Sequence, residues 1–215
     1  MRIAIIGAGN VGGTLGRRWA AGGHTVVFGL RDPHKGASGV KGGGELPPNA
    51  SITNPAGAAR DADVIVLATP WSEVAGALRE IGPLDGKVLI DATNPLGAGM
   101  TLDVGPNGAS GAERVQALAP GARVVKAFNT TGFDNMRDPH YDGAPTVMFY
   151  AGDDTEAKGM VRELVGALGF DPVDAGALVM ARELEHFAVL WISLAYGANG
   201  AEELGRSFAY RIVRR

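Results

Sequence analysis

Three glycines, Gly7, Gly9 and Gly12, stand in the order Gly7-Ala8-Gly9-Asn10-Val11-Gly12 directly behind four apolar residues, Ile3-Ala4-Ile5-Ile6. If the apolar run is a strand and the residues after it a helix, each glycine has its own use. Gly7 makes a tight turn, Gly9 leaves backbone N–H groups open to a pyrophosphate, and Gly12 lets helix and strand pack closely. An anion is favoured there because the first N–H groups of a helix lack partners and the dipole is positive at that end. Dinucleotide binding by Gly7, Gly9, Asn10, Val11 and Gly12 is the expected chemistry. Glycine turns recur by chance in a chain with 33 glycines, so the weight rests on context: a strand before, a helix after, and a second strand over residues 24–28.

The residues just past the second strand select the cofactor. An NAD site usually carries Asp or Glu there to hold the ribose hydroxyls, whereas this chain has Gly29-Leu30-Arg31 and, a little later, Lys35. Leu30, Arg31 and Lys35 therefore read as a pocket for the 2′-phosphate of NADP. Asp32 is the rival, as a ribose acid about twenty residues beyond the glycine motif, but it precedes Pro33 and fits better as the opening of a turn. Lys35 has solvent-exposed charge as its alternative.

Polar residues recur behind three later apolar runs: Thr69-Pro70-Trp71 after residues 63–68, Thr93-Asn94-Pro95 after 87–92, and Asn129-Thr130-Thr131-Gly132 after 123–128. In a doubly wound sheet ligands bind outside the carboxyl ends of the strands. Ala68, Thr69 and Pro70 are expected to line the nicotinamide ribose, and Trp71, Asn94 and Asn129 are the candidate catalytic residues. Trp71 has two readings, a ring packed over cofactor or substrate and the first core anchor of a helix over residues 72–81. Asn94 either hydrogen-bonds a carboxamide or flat heterocycle or opens an ordinary turn. Lys126, inside a strand pattern, reads as a structural or salt-bridged lysine.

These residues need a scaffold of alternating strands and helices. The expected fold is α/β, a Rossmann-type doubly wound, mostly parallel sheet over residues 1–175 with a small helical segment over 176–215. Helices are expected over residues 12–21, 55–60, 72–81 and 155–168, with another running from the Ser110/Glu113 capping box to about residue 119. Further strands are expected over 50–53, 146–151 and, at the edge, 170–173. Two terminal helices are expected, over 178–195 and 201–213. The first is apolar nearly all round after His186, which points to burial against a partner subunit and a homodimer. Arg206, Arg211, Arg214 and Arg215 read as solvated charge near a helix C-terminus. Residues 36–44 read as a mobile surface loop, and 97–108 as a loop that moves over a site or a poorly packed excursion.

Composition removes several classes of function. The chain has 215 residues, no cysteine and a net charge of -3. Thiolate catalysis, disulfides and zinc–thiolate sites are excluded, and a reducing cytoplasm is the expected setting. The acidic balance gives no field for nucleic acid. The longest later apolar run, residues 187–196, falls short of the roughly twenty residues of a membrane span, and a strand at the very N-terminus leaves no room for a cleavable signal. His24, His34, His140 and His186 show no ligand spacing, so no metal site is expected.

Several motifs together carry a family resemblance: the Gly7 to Gly12 turn, Phe28-Gly29-Leu30-Arg31, Thr69-Pro70-Trp71, Lys126-Ala127-Phe128-Asn129-Thr130, Gly152-Asp153-Asp154 and Asp174-Ala175-Gly176. Over nearly its whole length the chain resembles the NADP-dependent oxidoreductases that use coenzyme F420, a deazaflavin, and the related reductase domain of the six-transmembrane ferric reductases. The resemblance implies hydride transfer between NADPH and a flavin or deazaflavin acceptor lying against the nicotinamide. Two departures stand out: Leu30 where those enzymes carry Ser, and Asn129 where the archaeal ones tend to have His. Positioning supplies most of the catalysis in such a transfer, which accords with a sequence that shows no obvious acid/base constellation. The alternatives are an NADP-binding sensor without turnover, and a carbonyl or imine reductase using Lys126, Asn129 or Tyr196 as proton or oxyanion partner.

Overall fold

The apolar runs become the inner strands of one eight-stranded sheet. The structure, a computed structural model, describes residues 1–213 and 215; Arg214 of the basic tail lies outside the described residues. The first strands are β1 (Arg2–Ile6), β2 (Thr25–Gly29), β3 (Ala50–Thr53) and β4 (Val64–Leu67). They are followed by β5 (Val88–Asp91) and β6 (Arg123–Ala127), then a two-stranded ribbon of β7 (His140–Tyr141) and β8 (Ala144–Pro145). The last two are β9 (Val147–Gly152) and β10 (Asp171–Gly176). The order across the sheet is β10-β9-β6-β5-β4-β1-β2-β3, and every pairing is parallel except β6 with β9. Because β2 and β4 flank β1 on opposite sides, the strand order reverses at β1, and the crevice above that reversal is where a doubly wound sheet takes its ligand.

Helices cover both faces, which is why β1, β4 and β5 are buried along almost their whole length. They are α1 (Asn10–Ala21), α2 (Pro55–Arg60), α3 (Val74–Ile81), α4 (Gly111–Leu118), α5 (Phe133–Arg137), α6 (Thr155–Ala167) and α7 (Ala181–Tyr196). On one face Leu15 and Trp19 of α1 meet Phe28, Phe128 and Leu164, with the Trp19 and Phe128 rings edge to face at 5.4 Å. The indole N–H of Trp19 donates to the Leu164 carbonyl at 3.0 Å, so the buried ring leaves no orphan donor. The other face packs Leu67, Leu78, Leu89 and Val115.

The helix expected over residues 201–213 does not form. After α7 the chain turns through Gly197 in the left-handed region (φ 62°), passes Gly200 (φ 76°) and Gly205 (φ 71°), and returns as an irregular strap. Its backbone groups find partners elsewhere than in a helix. The Phe208 carbonyl accepts from Asn135 Nδ2 at 2.7 Å and from Trp191 Nε1 at 3.2 Å, and the Tyr210 carbonyl accepts from the Val147 N–H at 3.0 Å. Phe208 stacks on Trp191 and Tyr210 meets Phe187, with centroids 5.3 and 4.5 Å apart. Part of the apolar girth of α7 is thus covered by the chain itself, while Leu190 and Tyr196 remain about half exposed. Arg206 lies over the Phe133 ring and pairs with Asp134 at 3.5 Å rather than sitting at a helix end.

Residues 36–44 are tied to the glycine turn. Arg17 of α1 donates to the carbonyls of Lys41 (3.1 Å), Glu45 (2.8 Å), Val40 and Gly44 (both 3.4 Å), and the Lys41 N–H donates to the Ala8 carbonyl at 3.0 Å. Val40 is buried beneath them. Composition alone hid this, because the fastening comes from a helix residue more than twenty positions away.

Candidate functional site

The turn between β1 and α1 has the geometry that its glycines require. Gly7 takes φ 97°, and a Cβ there would stand 2.6 Å from the Ala68 carbonyl group. A Cβ on Gly12 would drive into the Gly7 carbonyl oxygen. Around Gly9, by contrast, a Cβ would meet nothing within 4 Å, so the approach to the helix is open. No side chain caps α1 and no acid lies in its first turn. The N–H groups at the start of the helix, among them those of Asn10 and Val11, are left for an outside anion.

Beside this turn a cleft of about 310 Å³ opens between two walls. Gly29, Leu30 and Arg31 form one wall; Thr69, Pro70, Glu73 and Ala77 form the other, with Gly7 at the floor. Thr69 Oγ1 is buried without a hydrogen-bond partner, a polar group that a ribose or base would satisfy. Leu30 is buried and Arg31 exposed at the mouth. Asp32 caps the short turn Pro33–Gly39, its carboxylate accepting from the His34 N–H at 3.2 Å, as the turn reading required. Lys35 sits on that turn, exposed and outside the lining of the cleft.

Asn94 and Asn129 come together beside the ends of β5 and β6. Asn129 Nδ2 donates to Asn94 Oδ1 (3.1 Å) and to the Leu184 carbonyl (3.1 Å), and Asn94 Nδ2 donates to the Asn129 carbonyl (3.0 Å). Phe128, just before Asn129, has φ 62°, a conformation that a bulky residue rarely takes and that turns the chain out of β6. Asn129 Oδ1 is left buried and unpartnered, an acceptor suited to an amide N–H. Thr69 and Asn129 thus each hold an open buried oxygen near the carboxyl ends of the strands, and the uncapped turn lies on the same rim. These residues fit a dinucleotide.

Trp71 is held by partners other than the asparagine pair. Its indole N–H donates to Asp103 Oδ2 at 3.2 Å and the Arg114 guanidinium lies 4.5 Å over its ring, while Arg114 also holds Asp103 at 3.2 Å. Those two hydrogen bonds, the one from Arg114 first, hold the Asp103 carboxyl below its usual range. Residues 97–108 are fastened here rather than free, through Asp103 and a bridge between Leu96 and Leu102.

Two charged residues of α7, Glu185 and Arg182, escaped the sequence reading. Glu185 of α7 is 2% exposed and accepts from the N–H groups of Gly111 (2.9 Å) and Ala112 (3.2 Å) at the start of α4. It also joins Lys126, which is fully buried between Asp91 (2.9 Å) and Glu185 (2.8 Å). The salt-bridged reading of Lys126 therefore holds, but nothing local in the sequence marks Glu185 as its partner. In the same first turn of α4, Glu113 closes the capping box with Ser110 and accepts both Nε and Nη2 of Arg182, at 2.8 and 2.7 Å. The Arg182 hydrogen bonds bring the Glu113 carboxyl down from 4.5 to about 2. A carboxylate whose pKa falls on folding stabilises the fold above its unfolded value, and that stabilisation is lost as the pH drops from about 4.5 toward 2. With Arg182 more than a third exposed, solvent screening reduces the effect to about 1 kcal/mol. Glu113→Gln should flatten the acid-unfolding curve in this window by that amount; an unchanged slope would mean that the pair contributes nothing.

Comparison with known proteins gives a consistent set of relatives. A family model described as NADP oxidoreductase, coenzyme F420-dependent, matches residues 2–95. The F420-dependent NADP reductase of Methanothermobacter thermautotrophicus is 31% identical over 90% of this chain and 89% of its own length. A crystal structure provisionally described as an F420-dependent NADP reductase from Arthrobacter sp. FB24 superposes over 100% of both chains with a TM-score of 0.84 and 33% identity. Metalloreductase STEAP3 of Rattus norvegicus is 32% identical over 86% of this chain, which spans 36% of that relative. The match therefore spans little more than a third of the length of the metalloreductases.

Proposed function

Since the chain belongs to the family of coenzyme F420-dependent NADP oxidoreductases, we propose that it is an NADPH-dependent reductase that passes a hydride between NADP(H) and a flavin or deazaflavin. The observation that carries this reading is the uncapped start of α1, open at Gly9, beside a cleft with a guanidinium at its mouth. The N–H groups around Gly9, Asn10 and Val11 would hold the pyrophosphate, and Arg31 would hold the 2′-phosphate. Ala68, Thr69 and Pro70 line the ribose side. NADPH, when bound, supplies a hydride with its electron pair.

The chain's own task is to hold two flat rings in register and keep water from between them. Asn129, with its spare Oδ1 and its amide fixed by Asn94 and Leu184, orients the nicotinamide carboxamide. Trp71, braced by Asp103 and Arg114, forms the wall on the acceptor side. Such a transfer would need no protein acid, since solvent can supply the ring proton. Among the described residues no helix is long and apolar enough to cross a membrane, and no His, Asp or Glu cluster is suited to a metal. We place the protein in the cytoplasm, as a homodimer joined through the exposed Leu190 and Tyr196 of α7.

The test is NADPH consumption followed optically with FMN, FAD, a deazaflavin and ferric chelates offered in parallel. Turnover with the deazaflavin supports the reading, and binding of NADPH without turnover of any acceptor refutes it. Arg31→Ala should weaken NADPH binding roughly ten- to hundredfold, the worth of a charge-assisted hydrogen bond or two, and leave NADH unchanged. An equal loss for NADH would sink the 2′-phosphate assignment.

A further inference from the structure

The cleft proposed to receive the 2′-phosphate is lined by one cation and two acids, Arg31 against Glu73 and Glu80. That is an unexpected balance for a pocket that selects a dianion. Moreover, Arg31 is engaged: its Nη1 stands 3.1 Å from Glu73 Oε2. The two residues belong to opposite walls, Arg31 beyond the end of β2 and Glu73 in the turn that opens α3, so their ion pair spans the mouth of the cleft. Both side chains are well exposed, at 72% and 44%, and their contact is through a single nitrogen.

We propose that Glu73 sets how strongly this protein prefers a 2′-phosphorylated nucleotide, by competing with the phosphate for the Arg31 guanidinium. The inference rests on the NADP reading above and adds a specificity-determining residue to it. A phosphate arriving at Arg31 takes donors that Glu73 now uses and lies within a few ångströms of its carboxylate. Like charges at that range oppose one another even in high dielectric. A nucleotide lacking the 2′-phosphate meets no such opposition, because its pyrophosphate sits at the α1 turn. Glu73 therefore penalises NADPH selectively and narrows the gap between NADPH and NADH that Arg31 opens. The ion pair is weak, as exposed pairs are, which lets the carboxylate swing aside when the phosphate enters.

Binding of two fragments tests this without any turnover: 2′,5′-ADP, which carries the 2′-phosphate, and ADP-ribose, which carries only the pyrophosphate. Calorimetry on Glu73→Gln at low ionic strength should show 2′,5′-ADP tightened roughly three- to tenfold, with ADP-ribose changed by less than about twofold. The gain should shrink with added salt and vanish in the Arg31→Ala background. Glu80→Gln, which removes the same charge without touching Arg31, should give no selective gain. Weaker binding of 2′,5′-ADP by Glu73→Gln would show that Glu73 supports Arg31 instead of competing with it, and would overturn the proposal. An equal gain from Glu80→Gln, or a gain that survives without Arg31, would overturn it in favour of a general field. Failure of the unmodified protein to bind 2′,5′-ADP while it binds ADP-ribose would instead refute the NADP reading itself.

Discussion

Replacing Lys126 by methionine is expected to lower the free energy of unfolding by about 3–5 kcal/mol, the loss typical when one member of a buried ion pair is removed. The ammonium is fully buried, and its three donors meet Asp91 Oδ2 at 2.9 Å, Glu185 Oε1 at 2.8 Å and the Thr93 carbonyl at 2.6 Å. Methionine fills similar space but leaves two carboxylates facing one another away from water. Their remaining hydrogen bonds, from Thr93 to Asp91 and from Gly111 and Ala112 to Glu185, only partly compensate. Denaturant midpoints at constant slope measure the loss, and adding Glu185→Gln to Lys126→Met should recover part of it. A loss below about 1 kcal/mol would mean that water reaches the carboxylates.

The pH dependence of the same cluster has a definite sign. Burial opposes the charge on Lys126, but attraction to Asp91 and Glu185 outweighs it and raises the pKa above 10.5. A cation whose pKa rises on folding stabilises the fold below its unfolded value, and that stabilisation is lost as the pH climbs through the folded value. The contribution of the Lys126 charge is therefore present across neutral pH and is lost in alkali.

The second large effect is at the glycine turn, where Gly12 and Gly9 should both lose nucleotide affinity but only Gly12 should lose stability. Gly12→Ala puts a methyl into the Gly7 carbonyl and 2.9 Å from Ile5 Cγ2, so α1 must lift off β1. Such backbone overpacking destabilises by about 1–3 kcal/mol. Displacing the helix start should cut NADPH and NADH affinity alike by roughly a hundredfold or more. Gly9→Ala meets nothing within 4 Å and sits at φ −70°, ψ −161°, extended backbone that any residue adopts. Its thermal midpoint should hold while both nucleotides bind at least roughly tenfold more weakly, because the methyl occupies the approach of the pyrophosphate. Unimpaired binding by Gly9→Ala would mean that the pyrophosphate lies elsewhere.

Local pattern was enough for the first half of the fold. Ile3 to Gly12 spelled strand, turn and helix, Asp32 before Pro33 spelled a turn, and Ser110 with Glu113 spelled a helix start, because each depends on neighbours within a few positions. The sequence was silent where partners are distant. Glu185 reaches α4 across 74 positions, Arg17 gathers carbonyls from residues 40–45, and Glu73 finds Arg31 only because β2 and β4 flank the same cleft. Residues 201–213 misled for a related reason: their apolar residues fitted a helix, yet Phe208 and Tyr210 serve partners on α5, α7 and β9. In the candidate site, the residue types at the strand ends were legible. The turning of Asn129 by Phe128 and the fastening of Trp71 to Asp103 were not, since each depends on backbone or loop geometry.

The antiparallel pairing of β9 with β6 also bears on how such a fold can diversify. Val125 lies beside Gly152 and Ala127 beside Tyr150, so β9 and, with it, β10 finish at the rim opposite the asparagine pair. The turns that leave Gly152 and Gly176 open on that far side, away from Arg31, Asn94 and Asn129. Insertions there would add surface without disturbing the nucleotide cleft, so descendants of this chain have one end on which to accrete new contacts and another that must stay as it is.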